Sequence, residues 1–452
     1  MLEEEEYLIL GRVIDGTGAP CIENGAVGVV GQHIDWVGPL DQLPERWRLP
    51  QVTRLDHSTS AVMPGLVDGH THLSFGEAQS EEELAFYGSV EYRAIRAGYL
   101  AGKALRAGVT SAHEASSSYN ISVAIRDAIQ AGMVEGPRLS AAGRQITTHQ
   151  GLEDPFPSWV AFPSGVPGVL VRNQDEILEA VRLQVKDGVD VVKVSGSADA
   201  AFTNAPLSGA AFRQEELDLL ADEVHRLERH CSIHARTAES VRLAARAGFD
   251  WIFHASFMDD EGLDLVGERG IPIVPTLTLL VNIVDASHNR FGVGGADAFK
   301  HEIDAASEIL SRAHREGITI VAGSESGLSI VPFGEWHARE MEIFVTHLGM
   351  SPLEAIKSAT SSAALTLPAY AMEIGALEAG RRADILVVQG DPLKDISILQ
   401  RRNLYELVIK DGRSVELTPP PERRVMDFER TRIFHSGRFV YDDSTGQGST
   451  VD

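Results

Sequence analysis

Ala61-Val62-Met63-Pro64-Gly65-Leu66-Val67-Asp68-Gly69-His70-Thr71-His72-Leu73 is an apolar run that ends in two alternate histidines. On extended backbone, side chains alternate between faces, so His70 and His72 project to one side and both imidazoles can reach one metal ion. A strand-borne His-x-His is a clamp for a divalent cation. The bland alternative is a pair of hydrogen-bonded strand histidines, and residues further along the chain decide between the two.

Between about residues 63 and 368, apolar β-rich runs alternate with amphipathic helical stretches. The strand-like runs are 65–73, 109–115, 138–146, 189–196, 231–237, 250–257, 271–277 and 318–324. Helical segments at 81–107, 174–187, 214–229, 298–316 and 336–348 lie between or after them. Eight strand–helix units predict an α/β fold of the (β/α)8 TIM-barrel type. A doubly wound open sheet is the alternative, but it would scatter the polar strand-end residues along a switch line, whereas a barrel makes them converge. The two ends of the chain read differently: 7–13, 25–30, 33–37, 383–388, 404–410 and 432–441 are short strand-like runs split by Gly, Pro and Asp, the texture of antiparallel sheet.

Composition narrows the function classes. The 452 residues carry 40 Lys plus Arg against 65 Asp plus Glu, a formal charge of -25 that repels phosphate backbones and anionic membrane surfaces. Neither a nucleic-acid nor a membrane partner is expected. Cys21 and Cys231 are far apart in sequence and lack Cys-x-x-Cys spacing, so neither a disulfide framework nor a cysteine zinc site is suggested. The acidic Met1-Leu2-Glu3-Glu4-Glu5-Glu6 start is unlike a signal peptide, and the expected location is the cytoplasm.

Catalytic groups of a barrel collect at the carboxyl ends of its strands. The unusual residues fall there: His70 and His72 on the first strand, Lys193 in the fourth, His234 in the fifth, His254 in the sixth and Glu325 after the eighth. Singly, His254 reads equally as a core histidine and Glu325 as a rim ion pair. Lys193, flanked by valines in Val191-Val192-Lys193-Val194, is costly to bury without a purpose.

With these residues in place, the sequence resembles the amidohydrolase superfamily over nearly its whole length. The resemblance runs from Gly11-Arg12-Val13-Ile14-Asp15-Gly16 through the His-x-His strand to Ile374-Gly375-Ala376-Leu377-Glu378-Ala379-Gly380-Arg381-Arg382-Ala383-Asp384-Ile385. It implies a barrel over 63–372 and a small composite β-sandwich built from 1–62 and 373–452. It also implies that His70, His72, Lys193, His234 and His254 ligate metal, with a carbamate on Lys193 bridging two divalent ions, zinc foremost and cobalt or manganese as alternatives. The family carries aspartate where this chain has Glu325, and the extra methylene moves the carboxylate by about 1.5 Å. Glu325 is then either a ligand or a base alone, in which case one ion suffices. Together with Trp336-His337-Ala338-Arg339-Glu340-Met341, this variant strand is similar to the phenylurea and molinate hydrolases. That narrower likeness implies cleavage of urea or thiocarbamate C–N or C–S bonds in small xenobiotics, and a homo-oligomer.

The rim loops are apolar: 156–162 after the third strand, with Phe156 and Trp159, 277–281 after the seventh, beginning at Leu277, and 328–333 after the eighth, ending at Phe333, suit a small aryl or alkyl substrate. Arg144 and Arg236 are candidates for a substrate carboxylate, which keeps a prolidase-like dipeptidase or carboxypeptidase acting on hydrophobic N-acyl amino acids as the alternative. The expected chemistry is attack of metal-activated hydroxide on a polarised carbonyl. Glu325 takes the water's proton and delivers it to the leaving amine, and His149 stabilises the oxyanion. The rival from another class is a catalytically silent assembly subunit of the same fold. A deaminase of the superfamily is a further rival, and it fits poorly because it should lack Lys193.

Overall fold

The computed structural model describes residues 6–149, 151–199, 209–290, 295–429 and 438–451. The terminal segments meet in one seven-stranded sheet. Glu6–Val13 pairs antiparallel with Ile22–Val30, which pairs with His33–Pro39. On its other side Glu6–Val13 runs parallel to Thr53–Pro64, and Ile385–Gln389, Tyr405–Lys410 and Arg413–Ser414 continue the sheet antiparallel from there. Period-two alternation gives it two apolar faces. Tyr7, Ile9, Val27, Val62, Ile385 and Val387 share one core, while Leu8, Ala26, Leu43 and Trp47 share another. Gly28 is required here, because a Cβ would lie 2.6 Å from the Trp47 ring. The expected sandwich thus takes the form of a single sheet with both faces covered.

The central segment is built of parallel strands. Leu66–Thr71, Val109–Glu114 and Arg138–Ala141 form one sheet. A six-stranded sheet contains Gly168–Leu170, Gln145–Thr147, Val191–Ser195, His230–Ala235, Trp251–His254 and Ile273–Val274. Backbone bonds join the sheets: Ala142 N–H to Glu114 O (2.8 Å) and Asp190 N–H to Ala141 O (2.8 Å). At the far edge, Val321 N–H donates to Ile273 O (2.8 Å), and Gly69 N–H then donates to Ala322 O (3.0 Å), returning to the first strand.

Three expected elements differ in detail. The run 138–146 is broken into Arg138–Ala141 and Gln145–Thr147 at Gly143, where a Cβ would strike the Gln184 side chain. The helix expected over 81–107 is two, Glu81–Phe86 and Val90–Arg106, because Gly88 turns at φ 80° and Ser89 caps the second. The run 318–324 is held by isolated bridges and single backbone bonds.

The tail strand expected over 432–441 is observed as Arg438–Asp442, paired with Gln447–Val451; residues 432–437 lie outside the described residues. This hairpin pairs with itself and packs on the parallel-strand side of the molecule. Phe439 stacks on Trp336 at 5.3 Å, and its carbonyl accepts from Trp336 Nε1 at 2.9 Å. Residues 373–452 therefore supply both strands of the large sheet and a separate hairpin. Among the described residues, no helix is long and apolar enough to cross a membrane.

Candidate active site

The parallel register aligns the polar strand-end residues. Ser195 lies opposite His234, and Ala235 opposite His254, so successive strands bring Lys193, His234 and His254 to neighbouring positions. His70 and His72 join them from the end of Leu66–Thr71, and Glu325 follows a backbone bond to His70 O. All six line one cavity of about 50 Å³, with Phe75, Leu84, Leu152, Leu279 and Leu328 as its apolar wall.

The geometry is that of a ligand cluster. His72 Nε2 lies 3.1 Å from His70 Nε2 and 3.0 Å from Glu325 Oε1, and His70 Nδ1 lies 3.2 Å from Glu325 Oε2. His70, His72 and Glu325 thus place one ligating atom each within 4.8 Å of one another. The rings of His234 and His254 meet edge to face at 4.5 Å. Thr276 Oγ1 sits 2.6 Å from His254 Nδ1 and orients that ring from behind.

Whether these residues suit a metal is answered by what they lack. Buried polar atoms are ordinarily hydrogen-bonded. Yet the buried His234 Nε2 has no hydrogen-bond partner among the described residues, and the buried His70 Nδ1 and Glu325 Oε2 meet each other at 3.2 Å without hydrogen-bond geometry. Burial holds His70, His234 and His254 well below the ordinary histidine value, which keeps them neutral and able to donate a lone pair. Lys193, its Nζ 3.3 Å from the Phe253 ring centroid, is pushed far below the usual lysine value by burial. A neutral amine is the form that adds carbon dioxide. The donor set fits divalent ions of the zinc class.

Backbone strain is concentrated at the same place. His254, Ala255, Thr276 and Glu325 adopt φ of 73°, 55°, 54° and 62°, conformations that cost non-glycine residues about 1–3 kcal/mol each and that cluster at functional sites. At Glu325 the turn brings the longer carboxylate into the histidine cluster, the arrangement that the extra methylene had left open.

The other sequence candidates are placed differently. Arg236 lines the cavity, but its guanidinium is held by Asp199 at 2.7 Å and by Glu302, so it meets two carboxylates before any substrate. Arg144 lines a separate surface cavity and reaches Val166 O. His149 has a side chain 62% exposed, bonded to Asp154 at 3.0 Å, and is not brought to the cavity. Trp159 is 85% exposed, and Phe156 packs on Phe86. Leu277 and Phe333 point into the core, with their N–H groups held by Glu340 and Glu77. Within the apolar stretches read as rim, burial drew Leu277 and Phe333 inward, while Leu279 of 277–281 and Leu328 of 328–333 do line the cavity; Phe75, Leu84 and Leu152 lie outside those stretches.

Two groups of polar residues were also missed. Glu81 and Glu153 line the cavity and are pushed up to about 7 and about 8, by burial first and then by neighbouring carboxylates. Behind the cluster, Asp68 Oδ1 accepts from His70 N–H (3.1 Å) and Ser324 N–H (2.9 Å), and its Oδ2 meets His337 Nδ1 at 2.7 Å. His337 Nε2 accepts from Gly334 N–H, so its proton sits on Nδ1, facing Asp68. Asp68 shares the face of His70 at period two, a signal that was readable beside the histidines.

Comparison with known proteins agrees with this geometry. The amidohydrolase family profile matches residues 61–415, and the chain belongs to that family. Ochratoxinase of Aspergillus niger is 29% identical over 425 residues, covering 89% of this chain and 85% of that one. Among solved structures, a Xaa-Pro dipeptidase with bound methionine in its active site superposes with a TM-score of 0.79 at 28% identity, over 91% of this chain and 100% of the other. Molinate hydrolase and phenylurea hydrolase B share the fold, with TM-scores of 0.75 and 0.74 at 23% and 22% identity, over 94% and 93% of this chain and 100% and 99% of theirs. The resemblance read from the sequence is thus found, and hydrolysis is the chemistry these relatives support.

Proposed function

We propose that this chain is a metal-dependent hydrolase cleaving the acyl C–N bond of small, largely apolar amides, ureas and carbamates or thiocarbamates. The observation that carries the reading is the convergence of His70, His72, His234, His254 and Glu325, with buried polar atoms left without hydrogen bonds, and of the buried Lys193 on one leucine- and phenylalanine-walled cavity. The parallel pairings that pass from strand to strand and return to Gly69 support a (β/α)8 barrel over 63–372, whose strand ends open on this cavity.

His70, His72, Lys193, His234, His254 and Glu325 would hold one or two divalent ions, zinc foremost. A bound ion supplies a Lewis acid and brings the ionisation of water towards about pH 7. The Lys193 amine adds carbon dioxide by forming an N–C bond and losing a proton, and the carbamate oxygens replace a cation's poorest ligand with an anionic one.

Glu325 stays ionised. Burial raises its pKa, but the His72 hydrogen bond and the charge of the Arg236 guanidinium lower it below the ordinary value, so it is the group that accepts the attacking water's proton. Glu153, neutral near pH 7, presents a carboxylic O–H to the same cavity for the substrate's carbonyl or leaving nitrogen.

A second reading, hydrolysis of N-acyl hydrophobic amino acids or dipeptides, is favoured by the 28% identity to the Xaa-Pro dipeptidase. The occupied guanidinium of Arg236 argues against it. A panel of neutral ureas, carbamates and anilides against N-acyl amino acids and dipeptides, run with metal analysis, tests both. Faster dipeptide turnover puts the second reading first. No turnover by metal-loaded protein leaves the silent assembly subunit.

A further inference from the structure

At the opposite end of the parallel strands lies a second cluster of ligating side chains. His225 is in the last turn of the Gln214–Arg226 helix, His230 and Cys231 open the His230–Ala235 strand, and Asp250 immediately precedes Trp251–His254. Consecutive elements of the chain, a helix end and two strand starts, therefore converge on one point. His225 Nε2 lies 3.0 Å from Asp250 Oδ2 and 3.7 Å from Cys231 Sγ, and the three ligating atoms all fall within 4.8 Å of one another. We propose that His225, Cys231 and Asp250 form a second transition-metal site, for an ion of the zinc class, separate from the hydrolytic centre.

The spacing is that of a tetrahedral site. With metal–nitrogen and metal–oxygen bonds of about 2.0 Å and a metal–sulfur bond of about 2.3 Å, ligand atoms stand roughly 3.3–3.5 Å apart, between the two separations observed. Nitrogen, thiolate and carboxylate donors together select zinc or cobalt over magnesium or calcium. His230 completes the arrangement: its Nδ1 lies 3.2 Å from the second Asp250 oxygen and fixes the carboxylate, the support that ligating carboxylates usually need. The Cys231 N–H donates to Asp250 Oδ2 at 2.8 Å, locking the two strand starts in register. Cys231 is fully buried whereas His225 has a side chain 41% exposed, so the ion enters from the helix side and keeps a solvent position there. Binding expels the thiol proton to solvent and leaves the thiolate as ligand.

This pattern escapes sequence inspection because no Cys-x-x-Cys is present; the second half of the site arrives through strand pairing. Cys231 is three residues upstream of His234, about 10 Å along the strand. The ion therefore acts as a staple at the strand starts without touching the hydrolytic residues.

Cobalt titration of chelator-treated full-length protein distinguishes the two sites, since the hydrolytic cluster contains no sulfur. The expected result is a thiolate-to-cobalt charge-transfer band in the near ultraviolet, and one bound ion fewer in both Cys231→Ser and His225→Ala. Both variants lose the band and keep wild-type turnover. His225 is at the surface, so its variant reports even if the buried serine impairs folding. A band that persists in His225→Ala, that vanishes instead in Cys21→Ser, or that is absent while metal analysis shows the hydrolytic centre filled overturns the proposal.

Discussion

Two of the charge clusters among the described residues are built on opposite terms. At the junction of the parallel strands with the terminal sheet, Arg138 Nη1 donates to Ser111 Oγ (2.9 Å) and Asp384 (2.6 Å), and Nη2 donates to Asp411 (2.5 Å). Asp384 accepts in turn from the Asp411 N–H at 2.9 Å. At the strand ends, by contrast, His234 Nε2 is buried with no hydrogen-bond partner among the described residues, and His70 Nδ1 and Glu325 Oε2 meet without hydrogen-bond geometry. Both clusters cost desolvation, and the first recovers it more fully within the chain. At the first the satisfied charges hold architecture together, and at the second the atoms left without hydrogen bonds mark where a ligand can supply the missing partner.

The largest expected effect breaks the unsatisfied cluster. Lys193→Ala should reduce turnover to background and cost bound metal, with partial rescue by short carboxylic acids that stand in for a carbamate. Unchanged metal content and turnover would remove the carbamate from the account. Next comes the satisfied cluster: Arg138→Met leaves the buried Asp384 without its guanidinium partner, while Asp411 keeps Arg382 and Lys410, and should destabilise the fold by about 3 kcal/mol, the scale of a broken buried pair. Turnover per folded molecule should stay at the wild-type level, read by denaturant unfolding beside activity.

Glu325→Gln should keep the fold and lose at least about a hundredfold in rate, the usual scale for a general acid or base. Metal analysis of the same variant separates a ligand from a base, because a ligand's loss also lowers occupancy. The acid branch of the stability profile sharpens the comparison further. Burial raises the Asp411 pKa, but the charges of Arg138 and Lys410 and the hydrogen bonds from Lys410 and Arg382 hold it well below the ordinary carboxylate range. Its depressed pKa means the stabilisation is complete above about pH 4 and lost as pH falls below that value. Wild type should therefore lose its advantage over Arg138→Met on acidification, and parallel profiles would contradict the pairing. The smallest effect belongs to His149→Ala, which should leave turnover within about twofold, as usual for an exposed substitution. A hundredfold loss would bring the loop back into the chemistry.

How much of this was readable in advance divides along the same line. The candidate ligand cluster was legible because its members sit in or just after parallel strand-like runs, where period-two alternation and chain polarity constrain their direction. His70, His72, Lys193, His234, His254 and Glu325 are indeed brought to one cavity. The cavity wall was legible only in part: Leu279 and Leu328 fall in the stretches read as rim, whereas Phe75, Leu84 and Leu152 come from segments whose path no local pattern determines. The rim residues singled out, Leu277 and Phe333, were claimed by the core, and Trp159 by the surface. Arg236, named as a substrate-binding candidate, does line the cavity, but its partner Glu302 comes from a distant helix. Pairing across long sequence distances is decided by packing, which a local reading does not reach.

The seven-stranded sheet has a consequence for how the polypeptide is made. Ile385–Gln389 pairs with Thr53–Pro64, so the sheet's middle is completed by a segment translated after the entire catalytic region. At about 5–20 residues per second, the Thr53–Pro64 edge waits on the order of tens of seconds for its partner. During that interval Ala61, Val62 and Met63 belong to an open edge, the kind of template that recruits a second nascent chain. The protein's vulnerable moment is therefore set on the ribosome, and chaperone demand should rise with anything that slows elongation between the two strands.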